Sequence, residues 1–426
     1  MQTPDKQSVS PAHRFAEFFG LKRNLVVLLV AIFVIGAGEE LWMRFVPKYL
    51  QALGASVFVI GLYDALRTLL GAVYAYPGGV LVDLWGHRRA FLVFNLVSIL
   101  GYALVLFIPH WGAVIAGMFL FLSWTCFSLP ATFSLVGATL AANRYSMGVG
   151  IQSVIKRLPI MIAPIFGGIL IDRLGIIPGV RLALIMSIFL SGVTILVQRQ
   201  LRDEPKEKAE ESERWNLWQS LRGFNAPMRR LLLSDILIRF CERIPFAWVV
   251  IFAMDYIGAS GKQVGVLTTV EMLAATLCII PASHFADKYG REPFVIVTFI
   301  MFTLFPISLL ISHGFPSHSF ALLAVAFAIR GFKEFGDTSR KALIIGYSES
   351  ERRGQMVGTY YLVRDLIVSP GALVGAYLWK LGAALNFLGA AAFGVIGTIF
   401  YIRTIRQERR LALQDLKSQI SRLRSK

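Results

Sequence analysis

The sequence predicts an all-α integral membrane protein with twelve transmembrane helices in two pseudo-symmetric six-helix bundles. Two bulk properties point to this class: 56% of the 426 residues are hydrophobic and only 16% are charged, and the mean hydropathy is +0.62. A soluble globular domain contains about 45–50% apolar and about 25% charged residues. A third observation, an imperfect repeat of one polar turn in both halves of the chain, indicates an internal duplication.

Six apolar runs make up the first half, each close to the length of about 20 residues that a spanning helix needs. They cover residues 24–50, 57–81, 90–108, 112–138, 147–172 and 179–197. The first run contains two adjacent acids, Glu39 and Glu40, and the fifth contains Lys156 and Arg157. The third and fourth runs have no charged residue.

Composition changes abruptly after the sixth run. Residues 199–230 are dense in charge, which predicts a solvated linker, and six further runs follow at 231–257, 263–285, 293–312, 318–345, 355–379 and 383–402. The last segment mixes leucines with many bases, which predicts an amphipathic helix on the cytosolic leaflet. We therefore expect a terminus at 1–23, a bundle at 24–198, a linker at 199–230, a bundle at 231–402 and a tail at 403–426.

The basic residues between the runs predict the orientation. If both termini and the even-numbered connections are cytosolic, the opposite side keeps only Lys48, Arg173, Arg181, Lys262 and Lys380. Lysine and arginine concentrate in cytosolic loops, so we expect both termini inside a bacterial inner membrane. The first run has no small-residue cleavage site after a short apolar core, so we expect an uncleaved helix.

Several function classes find no support in the residues. The three cysteines lie within apolar runs, with no Cys-His metal spacing and no extramembrane pair for a disulfide. There is no Gly-x-x-x-x-Gly-Lys-Ser/Thr loop for ATP and no nucleophile with a base for an enzyme. The net charge of +17 is spread over short polar gaps, which does not favour nucleic acid. We expect no metal and no cofactor.

The repeated turn lies between the second and third runs of each half, and its two copies are 204 residues apart. Its residues are Gly79, Asp83, Gly86 and Arg88 in the first copy, and Asp287, Gly290 and Arg291 in the second. We expect a cytosolic gate in which the aspartate pairs with bases of a neighbouring helix. The alternative is a topological turn, in which the glycines allow tight packing and the bases set orientation.

Twelve runs in two halves, a charged linker and a Gly-x-x-x-Asp-x-x-Gly turn resemble the major facilitator superfamily. The resemblance covers nearly the whole chain. His87 stands where an arginine is usual, and in the second copy Ser283 and Glu292 replace a glycine and a base. The resemblance implies a secondary transporter that works by alternating access between its two halves, with a site near the membrane midplane.

Two further stretches resemble signatures of that family. The fifth run contains Ala-Pro-Ile-Phe-Gly-Gly, in which Pro164, Gly167 and Gly168 match a motif that exporters carry, although Pro159 and Ala163 replace two of its glycines. Residues 330–336 of the tenth run resemble an arginine-then-glycine signature linked to proton coupling. The match in the fifth run alone favours proton antiport slightly over proton symport.

Charges inside the runs are the more informative feature, because each costs at least about 2.5–3.5 kcal/mol at a helix centre unless it faces partners or water. The acids are Glu39, Glu40, Asp64, Asp235, Glu242, Glu271, Glu334, Asp337 and Asp365, and the bases are Arg44, Arg67, Lys156, Arg157, Arg239, Arg243, Arg330, Lys333 and Arg364. The balance predicts pairing around a polar central cavity. Same-helix spacing predicts the pairs Glu40–Arg44, Asp235–Arg239, Glu242–Arg243 and Arg330–Glu334.

Charges without an obvious partner on their own helix are candidates for function. We expect proton coupling at Glu39, Glu40 or Glu271, because a carboxylate in a low-dielectric cavity changes protonation when a neighbouring charge arrives or leaves. For an anionic substrate group, the candidates are Lys156, Arg157, Arg330 and Arg364. The alternative for all of these residues is a structural salt bridge.

The sequence as a whole predicts a monomeric secondary transporter that exports a small organic solute in exchange for protons. The charge balance favours a polar, zwitterionic or anionic solute. We expect the protein to contact membrane lipids along its spans. Three alternatives remain open: a proton-coupled uptake symporter, a lipid flippase and a non-transporting receptor on the same fold. The unpaired acids argue mildly against the receptor.

Overall fold

The computed structural model describes residues 23–139, 145–201, 217–348 and 353–424, and within these ranges the regular structure is entirely helical. Nine stretches of the described helices are long and apolar enough to cross a membrane, and the helix of the fourth span contains a shorter apolar stretch, Trp111–Phe127. The two remaining spans, the seventh and the tenth, are each interrupted, and they bring the total to twelve. The predicted fold class, an all-α membrane protein of twelve spans, is confirmed.

The helices follow the predicted runs closely. The first six spans are α1 with α2 (Arg23–Met43 and Val46–Ala52), α3 (Val57–Trp85), α4 (His87–Phe107), α5 (Trp111–Thr139), α6 (Tyr145–Leu174) and α7 (Ile176–Gln198). After a short helix α8 (Leu217–Arg222), the others are α9 with α10 (Ala226–Arg243 and Trp248–Asp255), α11 (Gly261–Tyr289), α12 (Glu292–Gly314), α13 with α14 (Ser319–Phe332 and Asp337–Gly346), α15 with α16 (Arg353–Val368 and Gly371–Leu381) and α17 (Ala383–Arg424).

Four spans are broken, and the local sequence explains most of the breaks. Proline has no N–H to donate and its ring clashes with the preceding turn. Pro47, Pro245 and Pro370 lie at or just after the interruptions of the first, seventh and eleventh spans. The tenth span is interrupted by the 3₁₀ turn Lys333–Gly336. In a membrane, irregular backbone is tolerated where it is buried in protein or lines a cavity.

The internal duplication is visible in the backbone. Glycines with positive φ stand at matching turns 204 residues apart: Gly54 (79°) with Gly258 (77°), and Gly86 (78°) with Gly290 (90°). These φ values favour glycine because it has no Cβ. We call the end of the molecule with Gly54 and Gly258 the Gly54 face, and the end with Gly86 and Gly290 the Gly86 face.

The two halves meet through closely packed helices near the Gly54 face. A Cβ at Gly61 of α3 would lie 2.6 Å from the Cβ of Ala376 in α16. In the same way, a Cβ at Gly168 of α6 would collide with the backbone of Gly261 in α11. Small residues let helix backbones approach in membranes, so these glycines permit the contact between the halves.

The predicted domain limits stay predictions. Residues 1–22 and 202–216 lie outside the described residues, so the terminus and most of the linker are not described. Helix α17 continues from the last span to Arg424 without a break. No helix boundary therefore separates the tail from the last span, and the position of the tail on the membrane surface stays a prediction.

The packing of α4 against α5 yields a stability prediction. A Cβ at Gly101 would lie 2.5 Å from the backbone nitrogen of Phe121. Overpacking costs about 1–3 kcal/mol, so we expect Gly101→Val to lower the thermal unfolding temperature of the detergent-solubilised protein, followed by tryptophan fluorescence. The matched control is Gly192→Val in α7, where a Cβ meets no atom within 4 Å. Equal unfolding temperatures for the two variants would contradict this packing.

Candidate functional site

A cavity of about 190 Å³ lies between the two halves, next to the breaks of the first, seventh and tenth spans. Its charged lining residues are Glu40, Arg44, Asp64, Arg67, Glu271, Arg330 and Lys333. They come from the first, second, eighth and tenth spans, and Phe246 and Ala247 add the broken part of the seventh. Both halves therefore contribute charge to one central site, which is where transporters with repeated halves bind their substrates.

Glu271 is the acid that joins the halves at the cavity. It is 2% exposed, and its Oε1 lies 3.2 Å from Arg330 Nε of α13 in its own half. Its Oε2 lies 3.8 Å from the guanidinium of Arg44, which follows α1 in the other half. One buried carboxylate thus faces two arginines, and an ion pair of this kind helps to offset the desolvation of all three groups.

Two of the further ion pairs between the halves lie deeper than the Gly54 face. Arg243, at the end of α9, lies 3.6 Å from Asp64 of α3. Arg157 of α6 lies 3.1 Å from Glu334, in the 3₁₀ turn of the tenth span. These pairs join the two halves in this conformation, so any separation of the halves would break them.

Phe246 gathers arginines from three spans. Its ring centroid lies 4.9 Å from the guanidinium carbon of Arg243, 5.4 Å from that of Arg330 and 5.9 Å from that of Arg67. Cations over an aromatic face are attracted by its quadrupole. The break after α9 turns this ring into the cavity, so the proline that interrupts the helix also shapes the site.

Glu39 and Glu40 have different surroundings although they are adjacent. Glu39 is 9% exposed, and its Oε2 accepts a hydrogen bond of 2.6 Å from the Thr125 hydroxyl of α5. Glu40 is half-buried and lines the cavity. Within the described part of the chain, neither has a cationic nitrogen within the 4.0 Å of an ion pair.

A second charge network lies inside the C-terminal half, outside the cavity lining. Asp235 of α9 is fully buried and pairs with Arg340 of α14, with Arg364 of α15 at 3.4 Å and with Arg239 at 3.8 Å. Arg364 also binds Asp365 at 2.7 Å. Arg364 is therefore engaged with acids of its own half.

The structure changes most of the same-helix pairings that spacing predicts. The pair Asp235–Arg239 is confirmed. The pairs Glu40–Arg44, Glu242–Arg243 and Arg330–Glu334 are wrong, because every one of these residues except Glu40 has a partner elsewhere. Those partners are Glu271 for Arg44 and Arg330, Arg239 and Lys333 for Glu242, Asp64 for Arg243, and Arg157 for Glu334.

The candidate substrate residues fall in different places. Arg330 lines the cavity, whereas the cavity lining includes none of Lys156, Arg157 and Arg364. Lys156 is an exposed side chain of α6. Spacing did not single out Phe246, and the only signal for it was the neighbouring Pro245, which predicts a helix break.

The two sequence motifs are described to different extents. Gly79 lies within α3, but the side chains of Asp83 and Asp287 lie outside the described part of the structure, so the predicted gate stays a prediction. The rest of the turn has glycines Gly86 and Gly290 with positive φ at the ends of α3 and α11, and the side chains of Arg88 and Arg291 are exposed.

The motif of the fifth span packs in the interior. Pro164, Gly167 and Gly168 are buried in α6. A Cβ at Gly167 would collide with the carbonyl of Leu41 in α1, and one at Gly168 would collide with α11 of the other half. The motif therefore brings α6 close to one neighbour in each half.

Asp172 joins the halves at the Gly54 face. Its two carboxylate oxygens accept hydrogen bonds from the backbone N–H groups of Gly261 (2.6 Å) and Lys262 (2.8 Å) at the start of α11. These N–H groups have no partner within their own helix, and a helix N-terminus favours negative charge. Lys48 forms a second contact at this face with Asp255 of α10.

Comparison with known proteins supports a family assignment. A family model described as Major Facilitator Superfamily matches residues 28–252 and again residues 231–421. An uncharacterized MFS-type transporter of Methanocaldococcus jannaschii is 25% identical over 91% of this chain and 99% of its own length. Multidrug resistance protein MdtG of Escherichia fergusonii is 22% identical over 91% of this chain and 96% of its own length.

Solved structures show the same fold at low sequence identity. The nucleoside transporter NupG has a TM-score of 0.74 and 13% identity, over 89% of this chain and 98% of that one. A bacterial homologue of iron transporter ferroportin in an inward-facing state has a TM-score of 0.72 and 12% identity, over 90% and 98%. These likenesses concern the fold alone.

The contact at Asp172 yields a prediction about conformation. Hydrogen bonds to charged groups contribute about 1.5–3 kcal/mol, and the exposure of Asp172 places this contact at the low end. We expect Asp172→Asn to weaken closure at the Gly54 face and to broaden the distance distribution between spin labels on the exposed residues Leu174 and Leu381. The control is Arg173→Gln, a neighbouring exposed side chain. Identical distributions in D172N and R173Q would rule out this role.

The pair Arg157–Glu334 yields a charge-swap prediction. Arg157→Glu alone places two acids opposite one another, so we expect it to lower the thermal unfolding temperature. The double variant R157E/E334R restores an opposite pair and should recover most of that loss. Both side chains are about one quarter exposed, so the effect should be about 1 kcal/mol or less. A double variant less stable than the single one would disprove the pairing.

Proposed function

Since the chain belongs to the Major Facilitator Superfamily and is a multi-pass membrane transporter, we propose that it exports a small organic solute in exchange for protons. The observation that carries the proposal is Glu39, a buried carboxylate whose described contact is a neutral hydroxyl. Such a group exchanges a proton more readily than an acid held by an arginine, because the arginine stabilises the ionised form.

Three acids near the cavity divide the work in this proposal. Glu39 and Glu40 take up and release the proton, since no cation lies within ion-pair distance of either in the described part of the chain. Glu271 is paired with Arg44 and Arg330. We propose that the charge environment of Glu271 depends on the position of the other half, because moving the halves apart takes Arg44 away from it.

The direction of transport is proposed from two observations. The motif at Pro164, Gly167 and Gly168 packs α6 against both halves, and the resemblance ties this motif to exporters. Relatives named as multidrug resistance protein MdtG and as a multi-drug resistance efflux pump PmrA homolog of Lactococcus lactis point the same way. The second relative is 22% identical over 66% of this chain and 71% of its own length.

The proposed cycle uses the predicted orientation, with both termini in the cytosol and the chain in an inner membrane. The contacts of Asp172 and Lys48 then close the outer side, and the cavity receives its solute from the cytosol. Opening of the outer side separates Arg44 from Glu271 and Arg243 from Asp64. We propose that the free carboxylates and the solute then equilibrate with the external proton concentration.

The proposal is tested on purified protein in proteoliposomes with a pH dye inside. Pools of small organic compounds are screened with and without an imposed proton gradient, and the active pool is resolved. We expect Glu39→Gln to abolish solute-driven proton flux while solute exchange between the two sides continues, because the neutral amide cannot carry a proton.

The matched control is Thr125→Val, which removes the hydrogen bond to Glu39 but keeps the carboxylate. This variant should retain proton flux with a shifted pH dependence. Proton flux in E39Q at the wild-type rate would move the coupling site to Glu40 or Glu271. No flux with any pool, in protein shown to be folded, would favour the flippase or the receptor.

A further inference from the structure

The cavity contains a cation and an acid that each have no opposite charge at ion-pair distance. Arg67 of α3 and Glu40 of α1 both line it. Within the described ranges, no carboxylate oxygen lies within 4.0 Å of the Arg67 guanidinium, and no cationic nitrogen lies within 4.0 Å of the Glu40 carboxylate. A charge in a membrane protein needs a partner or water, so both groups are available to a ligand.

The other lining cations are engaged. Arg44 and Arg330 face Glu271, and Lys333 lies 2.7 Å from Glu242. Arg67 instead lies near the Phe246 ring at 5.9 Å, a distance at which its guanidinium donors remain free for an acceptor. Its planar fork can bind a carboxylate through two parallel hydrogen bonds. Arg67 is therefore the site's anion-binding group.

The acids of the cavity have unused acceptor capacity. Oδ2 of Asp64 and Oε2 of Glu271 are buried and accept no hydrogen bond from the described part of the chain. Oε2 of Glu271 faces Arg44 only at 3.8 Å, which is too long for a hydrogen bond. A buried acceptor without a donor is costly, and an ammonium group supplies three donors. Together with Glu40, these oxygens form the cation-binding part of the site.

We propose that the solute is a small organic zwitterion, whose anionic group binds Arg67 and whose ammonium group binds among Glu40, Asp64 and Glu271. The inference rests on the proposed function and names its substrate class. A simple cation leaves Arg67 without a partner, and a simple anion faces three carboxylates with no donor for them. The cavity of about 190 Å³ lies below the range of about 300–1,000 Å³ for drug-sized ligands, so the solute is of amino-acid size.

A zwitterion also fits exchange for protons. Glu40 belongs both to the proposed proton carriers and to the proposed ammonium site, so binding of the ammonium group there favours release of the proton. The anionic group of the solute binds Arg67 at the same time, so the acids are not the only groups that hold the solute. Specificity then arises because each mismatched ligand leaves one charge of the cavity without a partner.

The experiment measures binding to the full-length protein in detergent by isothermal titration calorimetry. The probes are matched sets of three compounds: an α-amino acid, the amine that lacks its carboxylate and the acid that lacks its amine. The sets cover small, aliphatic and aromatic side chains. In at least one set we expect the amino acid to bind at least tenfold more tightly than both of its single-charge analogues.

Two variants assign the poles. Arg67→Gln should reduce the affinity for the amino acid to that for the amine and leave amine binding unchanged. Glu40→Gln should lower the affinity for the amino acid and for the amine but not the affinity for the acid. The matched control, Arg173→Gln, removes an exposed arginine beyond the cavity and should leave all affinities unchanged.

A set in which the amine or the acid binds as tightly as the amino acid overturns the inference, as does a panel in which no amino acid binds. An equal loss of affinity for all three probes in R67Q also counts against the inference, because a general defect in the folding of the variant then explains the change. None of these results affects the test of proton coupling, which uses flux in proteoliposomes. The two proposals can therefore fail separately.

Discussion

Charged side chains within the membrane need partners, and the architecture of this protein follows from how that need is met. An unpaired charge at the centre of a spanning helix costs at least about 2.5–3.5 kcal/mol. Here the partners lie mostly on other helices, and for Glu271, Asp64 and Glu334 a partner lies in the other half. The ion pairs therefore join the two bundles in this conformation, and the proposed cycle requires the pairs between the halves to break.

The helix breaks serve this arrangement. A break changes the direction of the chain within the membrane and so redirects the side chains next to it. The break after Arg243 turns Phe246 toward three arginines, and the 3₁₀ turn of the tenth span presents Lys333 to Glu242 and Glu334 to Arg157. Polar backbone freed by the breaks is tolerated because it lies beside a cavity rather than lipid.

The charge network around Asp235 contrasts with the pairs of the cavity. Its described partners all belong to the C-terminal half, and Asp235 and Arg340 are almost fully buried. Breaking such a pair leaves a buried charge uncompensated, at a cost of about 3–5 kcal/mol. The network therefore stiffens one half as a body. Movement is expected between the halves, where the arginines of the ion pairs are partly exposed.

The sequence by itself determined the class, the twelve spans and the duplication. Hydropathy and the spacing of turns are local properties, and the membrane forces every long apolar run to become a helix because no water is present to bind its backbone. Gly86 and Gly290 lie 204 residues apart in the sequence and both have positive φ, so the repeat seen in the sequence is also present in the backbone. The family resemblance rests on the same local patterns.

Only the tertiary structure decided which charges meet. Spacing of three or four residues identifies neighbours on one helix, and it succeeded for Asp235 with Arg239. It failed for Arg44, Arg243 and Arg330, because their partners lie on helices far away in sequence. The site at Arg67 and Phe246 depended on how helices from both halves converge on a break. That convergence is a property of packing, which no local pattern in a single sequence encodes.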